Sequence, residues 1–367
     1  MAVALSYPGV YIEELPSGVH AIAGVATSIT AFIGRAVRGP TDQPVMVESF
    51  ADFTRSYGGL WIDATLGYAV QQFFLNGGSQ ALIVRVHNGA TAAHLLLNAG
   101  FDLIAANEGL WGNSLAARVD YQTKDPSNTS LFNLFVKDTG TGTLETFRNV
   151  SIDTADPRFV SHVLEQQSQL VRVFTSGALT RPSESVAAPP GVDPYTAGGN
   201  AYVVTTIGGD GNDISDNDVA TGPTLQANKQ GLWMLEKADL FNLLCIPPPT
   251  RDGDWIQATW DNATAYAASR RAFVIVDPPA SWASPANAIA GLGTLATPSD
   301  SAALYFPRLL ISDPLKENRL DTFAPCGVVA GVYARTDGQR GIWKAPAGIE
   351  HPCSAYRVSP SAATRAR

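Results

Sequence analysis

The first candidate for chemistry in this sequence is an apolar run that ends in a carboxylate. Residues 273–277 read FVIVD, the arrangement in which a nucleotide-binding strand presents an aspartate, here Asp277, to Mg²⁺. That role also needs a phosphate loop of the form GxxxxGK[ST], and the sequence contains none. Pro278 and Pro279 follow directly and make a stiff exit from a strand. We therefore interpret Asp277 as a strand end, with a Mg²⁺-nucleotide-dependent α/β enzyme as an alternative.

The second candidate is a glycine-rich acidic segment. Residues 208–213 read GGDGND and match the start of the calcium-binding GGxGxD repeat, although Ser215 stands where that repeat has a large apolar residue. Such repeats bind calcium when stacked in tandem, and this is a single copy. Four aspartates could still hold a hard cation weakly through their oxygens: Asp210, Asp213, Asp216 and Asp218. A turn with a solvated acidic loop is the favoured interpretation, and a calcium-binding secreted adhesin is the alternative.

No other motif supports catalysis or metal binding. The sequence has no GxSxG, HExxH or CxxC, and its 5 histidines have no carboxylate or cysteine at a recognised spacing. Its 3 cysteines, Cys245, Cys326 and Cys353, are odd in number, which fits a reducing compartment better than a disulfide framework. We expect no catalytic residue, no metal site and no cofactor.

Hydrophobic periodicity predicts the elements that position these residues. Strand patterns at 28–34 and 81–86 flank a helical repeat at 64–75, which together read as a β–α–β unit. The second strand is apolar apart from Arg85, as expected for a strand covered on both faces. Short alternating runs between 109 and 174 are typical of an antiparallel sheet.

A second α/β pattern follows a loop rich in proline and glycine. Residues 241–246, 272–276 and 309–311 are strand-like, and helical patterns lie before or between them. This alternation favours a mostly parallel sheet covered by helices.

Composition excludes several classes of protein. The chain has 367 residues, of which 45% are hydrophobic and 16% charged, enough apolar mass for more than one core. A net charge of −8 argues against a duplex-DNA binder. No stretch approaches the roughly 20 apolar residues of a membrane-spanning helix, and the first residues lack the basic and apolar regions of a secretion signal.

An ordered set of motifs resembles the contractile tail sheath family, found in myophage tails, contractile bacteriocins and extracellular contractile injection systems. The motifs are YPGVYIEE at 7–14, TAFIG at 30–34 with RGP at 38–40, GLWGN at 109–113, GGDG at 208–211 with GLWMLE at 231–236, and ALYFPR at 303–308 with GVYARTD at 331–337 and GIWKAP at 341–346. Each motif alone is weak, and the ordered set is specific.

The patterns and the resemblance together predict a multidomain α/β (mixed α+β) fold. It has a central, helix-covered, mostly parallel sheet, an inserted antiparallel β-rich domain and an extended N-terminal arm. The predicted boundaries are an arm at 1–25, an N-terminal α/β domain at 26–108, the β-rich domain at 109–176, a linker at 177–200, a central sheath domain at 201–350 and an atypical basic tail at 351–367.

The resemblance implies a structural subunit that polymerises helically around an inner tube and contracts to drive the tube through a target envelope. The implied partners are further copies of the chain, the inner tail tube protein, and sheath-terminating and baseplate proteins, with no nucleic acid and no membrane insertion. The implied location is the cytoplasm of the producing bacterium and then the virion tail or injection particle. The sequence does not distinguish phage, bacteriocin and injection system.

The resemblance also assigns residues. The arm would add a strand to a neighbouring subunit's sheet through Tyr7, Val10, Tyr11 and Ile12. Gly208, Gly209, Asp210 and Gly211 would form a structural turn before a helix.

The C-terminal segment departs from the family. Family members continue past KAPA with a domain that contacts the tube and ends in a second arm, whereas residues 351–367 are basic and lack an apolar period. Truncation, a frameshift and a shortened paralogue are open alternatives. Strands that pair with that domain in the family are expected to leave an open edge here.

Overall fold

The computed structural model describes residues 27–175, 177–346 and, as backbone only, 357–358. Its strands are, in chain order, β1 (Thr30–Gly34), β2 (Val45–Val47), β3 (Ala81–Arg85), β4 (His94–Asn98), β5 (Phe101–Ala105), β6 (Leu115–Asp120), β7 (Leu131–Asp138), β8 (Leu144–Ser151), β9 (Val171–Val173), β10 (Tyr202–Val203), β11 (Leu243–Cys245), β12 (Phe273–Val276), β13 (Ala302–Leu304), β14 (Leu309–Asp313), β15 (Arg319–Phe323) and β16 (Arg357–Val358). The α-helices are α1 (Phe50–Tyr57), α2 (Leu66–Leu75), α3 (Val160–Gln167), α4 (Asp216–Val219), α5 (Leu225–Asn228), α6 (Gln257–Arg270), α7 (Pro285–Leu295) and α8 (Cys326–Arg340). Short 3₁₀ turns occupy Leu110–Ser114, Ala197–Gly199, Gly231–Lys237 and Pro314–Lys316.

Six strands form the central sheet in the order β13-β12-β11-β1-β3-β2. All neighbours are parallel except β2 and β3. Strand β1 lies in the middle, with Thr30 opposite Leu243 on one side and Ala81 on the other. The two α/β regions that the sequence divides into 26–108 and 201–350 therefore share one sheet. Local hydrophobic periodicity does not predict strand pairing, because paired strands can be far apart in the sequence.

Helices cover both faces of this sheet. Ala31 and Ile33 of β1 point into a core shared with Trp260 of α6. Phe32 points to the opposite face, where it packs with Phe73 of α2. All five residues of β1 are buried, as expected for a parallel strand covered on both sides. The predicted mixed α/β class with a mostly parallel central sheet is confirmed.

Helices α2 and α8 pack closely because glycines face the contact. A Cβ atom placed on Gly327 would lie 2.1 Å from the Ala69 carbonyl oxygen, and one on Gly331 would lie 2.5 Å from the Phe73 carbonyl oxygen. The backbones of the two helices therefore approach to a distance that only glycine permits.

A β-rich unit with its own core interrupts the α/β sequence. It contains an antiparallel sheet in the order β10-β6-β7-β8 and a second in the order β4-β5-β9. Its core extends from Ala93 to Leu179 and includes α3. Strands β4 and β5 precede residue 109 and β10 follows 176, so the unit extends past both predicted boundaries because its sheets are completed by strands from either side.

The predicted linker at 177–200 lies against the β-rich unit. The Ser185 N–H donates to the Val119 carbonyl over 2.8 Å. The Arg118 guanidinium donates to the carbonyls of Val186 and Pro194 over 2.7 Å each. The backbone of this loop is thus hydrogen-bonded to β6, which its composition did not indicate.

A third sheet consists of the hairpin β14–β15, with β16 paired to β14. The hairpin packs on α2 and α8 through a separate small core that includes Tyr68, Ile311 and Phe323. No helix among the described residues has the length and hydropathy that crossing a membrane requires. The predicted arm residues Tyr7, Val10, Tyr11 and Ile12 lie outside the described residues, as does most of the tail at 351–367.

Candidate functional site

The GLWGN (109–113) and GGDG (208–211) motifs lie against each other where the central sheet meets the β-rich unit. The Asn113 side chain forms two hydrogen bonds with Gly208. Its Nδ2 donates to the Gly208 carbonyl over 3.0 Å, and its Oδ1 accepts from the Gly208 N–H over 2.7 Å. We call these two motifs together the junction clamp, because they join segments that are distant in sequence.

The GGDG segment contains a backbone conformation that requires glycine. Gly211 has a φ of 71°, and a Cβ atom there would lie 2.2 Å from the Asn88 carbonyl oxygen. One residue earlier, Asp210 Oδ1 accepts from the Leu110 N–H over 2.7 Å. The GGDG segment therefore binds GLWGN directly, and single β-bridges join Gly209 to Thr91 and Asn212 to Asn88. Its assignment as a structural turn before a helix stays a prediction.

Arg35, directly after β1, extends the junction clamp into the central sheet. Its Nη1 donates to Asp213 Oδ1 over 2.7 Å, and its Nη2 donates to the carbonyls of Asp210 and Gly211 over 3.3 Å each. The guanidinium also lies 4.4 Å from the centroid of the Trp61 ring. One largely buried arginine therefore ties the end of β1 to the GGDG segment.

Arg85, the charged residue in the otherwise apolar strand β3, is a second link at this junction. It is 2% exposed and donates to the carbonyls of Ala36 (3.0 Å), Gly39 (2.8 Å) and Glu108 (2.9 Å). Burial lowers the pKa of its guanidinium below the ordinary value for arginine. The sequence contained the signal, a lone charge in a buried strand, but not its partners.

The aspartates proposed for calcium have separate structural partners. Asp210 and Asp213 serve the junction clamp and Arg35, as described above. Asp216 Oδ1 accepts from the Ile256 N–H over 3.0 Å, and Asp218 forms a capping box with Ser215 at the start of α4. No cluster of three metal-ligating side chains occurs within the described part of the chain. Each of the four aspartates therefore accepts a hydrogen bond from another group of this chain.

Asp277 is a buried strand-end carboxylate. Its Oδ1 accepts from the N–H of Cys326, the first residue of α8, over 2.9 Å. Burial raises the pKa of this carboxyl to about 7. The adjacent cavity, lined by Trp255 and Arg308 among others, has a volume of about 10 Å³. This is room for about one water molecule, so the geometry does not fit a nucleotide beside Asp277.

The hairpin β14–β15 has one unpaired edge and one partly paired edge among the described residues. Within the described residues, β15 has no neighbour on its outer side. On the other side of the hairpin, β14 pairs with β16 only at Leu309 and Leu310. Leu320 of β15 is 52% exposed. Unpaired N–H and C=O groups at such edges are able to accept a further strand.

The described chain begins beside the end of α8. The Ser28 hydroxyl donates to Asp337 Oδ2 over 2.9 Å, which ties the start of the described residues to this helix. Ser28 lies one residue before Ile29, whose N–H donates to the Asn242 side chain over 3.0 Å at the start of the central sheet.

Comparison with known proteins gives a likeness in structure alone. No family model matches the sequence, and no curated protein matches it. Among solved structures, a sheath tail protein from Listeria innocua superposes with a TM-score of 0.53 at 11% identity, over 88% of this chain and 59% of that chain. The fold is that of a tail sheath protein.

Other sheath structures also match, with lower TM-scores. A sheath tail protein from Desulfitobacterium hafniense has a TM-score of 0.47 at 15% identity, covering 90% of this chain and 63% of its own. The contracted helical sheath of the anti-feeding prophage has a TM-score of 0.38 at 15% identity, with coverage of 93% and 56%. This chain therefore spans about three fifths of the length of the sheath proteins that it matches.

Proposed function

We propose that this chain is a structural subunit of a contractile sheath. Copies would polymerise helically around an inner tube and contract to drive it through a target envelope. The observation that carries this proposal is the sheath-protein fold over 88% of the chain. A hairpin with an open edge and an aromatic and β-branched N-terminal segment support it.

The proposed linkage is strand addition. Residues Tyr7, Val10, Tyr11 and Ile12 of one copy would pair with an open edge of the hairpin β14–β15 in the next. Such a contact uses different surfaces on the two partners, and heterologous contacts that do not close a ring produce helical assemblies. Main-chain hydrogen bonds would keep subunits connected while they rotate as rigid bodies.

Contraction in this proposal needs no catalytic chemistry. An extended lattice collapses into a shorter and wider one that buries more surface between subunits. At about 25 cal/mol per Å² of apolar area, a few hundred extra Å² per copy is several kcal/mol before ordering costs are subtracted. Summed over a long sleeve, this drives the tube without a nucleotide.

The implied partners and location follow the same proposal. They are further copies of this chain, an inner tube protein, and sheath-terminating and baseplate proteins. The chain would be made in a bacterial cytoplasm and act in a phage tail or injection particle. The anti-feeding prophage structures include a baseplate and a contracted sheath, which are the settings in which similar folds occur.

Deletion of residues 1–18 tests the linkage. We expect the intact chain to self-associate with rising concentration, because each copy offers both an arm and an acceptor edge. The deletion variant should sediment as a monomer with an unchanged unfolding midpoint, since residues 1–18 precede every residue of the four cores in the described part of the chain. The measurements are sedimentation velocity, negative-stain microscopy and thermal unfolding.

A second variant, Ile12→Pro, keeps the arm's length but removes a main-chain donor from its strand segment. It should weaken association much as the deletion does, whereas Ser17→Ala, outside that segment, should not. Normal assemblies formed by the deletion variant would refute the proposed linkage.

A further inference from the structure

The hairpin β14–β15 has a small contact with the rest of the chain. It shares no strand pairing with the six-stranded sheet. Its buried apolar residues, Ile311 and Phe323, pack on Tyr68 of α2 and on Val328 and Val332 of α8. A contact of this size leaves the hairpin's orientation dependent on its polar attachments.

Arg251, in the loop after β11, is the main polar attachment. Its guanidinium forms an ion pair with Asp313 of β14 at 2.5 Å and another with Asp321 of β15. It also donates to the Tyr68 hydroxyl over 2.9 Å. It lies 4.9 Å from the ring centroid of Tyr68 and 4.8 Å from that of Phe323. One side chain therefore contacts both strands of the hairpin and helix α2.

Opposite charges are paired in this network in a largely buried setting. The Asp313 side chain is fully buried, and that of Arg251 is 11% exposed. Burial alone would raise the pKa of Asp313, but its hydrogen bonds, that from Arg251 foremost, hold the pKa below its ordinary value. Burial alone would also raise the pKa of Asp321, but hydrogen bonds from Lys316 and Arg251 hold this pKa below its ordinary value. Both carboxylates are ionised at neutral pH and bind the guanidinium.

A second arginine makes the attachment reciprocal. Arg308, the residue before β14, donates to the carbonyls of Arg251 (2.6 Å) and Gly253 (2.9 Å), and its Nε donates to the Pro278 carbonyl over 2.9 Å. The hairpin thus binds the backbone of the loop while the loop's arginine binds the hairpin.

We propose that Arg251 is a positioning residue for strand exchange, holding the hairpin β14–β15 in the orientation in which its open edge accepts the arm of a second copy. This inference rests on the proposed function. The planar guanidinium can bind two carboxylates at once, whereas the lysine ammonium acts as a single point charge.

The effect of losing the guanidinium should be local. Removal of one partner leaves the buried Asp313 charge uncompensated. Arg251 packs on Tyr68 and Phe323, which belong to the small hairpin core and not to the three larger cores. We therefore expect the hairpin to lose its orientation while the rest of the chain stays folded.

The test compares Arg251→Ala, Arg251→Lys and Asp321→Asn in the full chain. The matched control is Arg270→Ala, which removes another stacked arginine that binds carbonyls, those of Leu235 and Ala238, at a different core from that of the hairpin. Hydrogen exchange of peptides covering 309–323 is compared with that of peptides covering β1 and β3. Binding of a labelled synthetic peptide of residues 1–18 is then measured for each variant.

For Arg251→Ala we expect exchange in 309–323 and the dissociation constant of the peptide to rise at least about tenfold, with exchange in β1 and β3 unchanged. Arg251→Lys should restore part of the loss, and Arg270→Ala should change neither quantity. If Arg251→Ala does not fold, Asp321→Asn and Arg251→Lys carry the test, because both keep a partner for Asp313.

If folded Arg251 variants bind the peptide as tightly as the wild-type chain does, the inference is wrong and the proposed function is unaffected. An equal loss in Arg270→Ala would also overturn it. Absence of peptide binding by the wild-type chain would instead remove the proposed linkage, and this inference with it.

Discussion

Replacement of Gly211 by alanine tests whether the GGDG segment has a structural role. Gly211 has a φ of 71°, and a Cβ atom there would lie 2.2 Å from the Asn88 carbonyl oxygen and 2.6 Å from the Ala90 N atom. The left-handed conformation costs a non-glycine residue about 1–2 kcal/mol, and overpacking adds about 1–3 kcal/mol. We expect Gly211→Ala to lower the free energy of unfolding by about 2–5 kcal/mol.

The control lies in the same motif. At Gly209 the nearest atom to an added Cβ is Thr91 Oγ1 at 3.4 Å, an ordinary contact, so Gly209→Ala should cost little. At about 2 °C per kcal/mol, the thermal midpoint of Gly211→Ala should fall by about 4–10 °C, and differential scanning calorimetry measures it. Calcium should shift the midpoint of neither variant nor of the wild type. Equal midpoints for the two variants, or a fall that calcium reverses, would refute the structural interpretation.

Two further predictions concern helix α8 and Asp277, the carboxylate that accepts a hydrogen bond from the first residue of α8. Gly331→Ala should destabilise by about 1–3 kcal/mol because its Cβ would lie 2.5 Å from the Phe73 carbonyl oxygen, whereas Gly338→Ala, with nothing within 4 Å, should stabilise by about 0.5–1 kcal/mol. Thermal midpoints that rank the two variants the other way would contradict the packing of α2 on α8. Burial raises the pKa of Asp277 from 3.8 to about 7. The folded state therefore binds the proton more tightly than the unfolded state, and the stability of the protein falls as the pH rises from 3.8 to 7. Asp277→Asn should therefore gain in midpoint relative to wild type between pH 4 and pH 8, and neither protein should respond to Mg²⁺-nucleotide; a difference independent of pH would contradict the buried acid.

Short-range patterns in the sequence determined most individual elements. The apolar runs at 28–34, 81–86 and 272–276 became β1, β3 and β12, and the helical repeat at 64–75 contains α2. These patterns reflect whether other parts of the protein pack on one face of a segment or on both. A window of about ten residues is enough to detect them. The ordered motifs also indicated the sheath fold that the structural comparison shows.

The partners of individual side chains were not accessible from the sequence. Nothing in the loop sequence around Arg251 indicated that its guanidinium binds Asp313 and Asp321. The glycine-rich acidic segment at 208–213 likewise did not reveal that Asn113 binds Gly208. Each of these contacts joins segments that only the folded chain brings together.

The arrangement of the elements was also decided by tertiary structure. Pairing of β1 with β11 joins two regions that the sequence separates, and β4, β5 and β10 complete the β-rich unit from outside its predicted limits. Backbone hydrogen bonds look alike for every strand, so pairing is selected by the side chains that fill the space between layers. Local periodicity therefore determined which segments are strands and helices, and packing over long distances in sequence determined which of them meet.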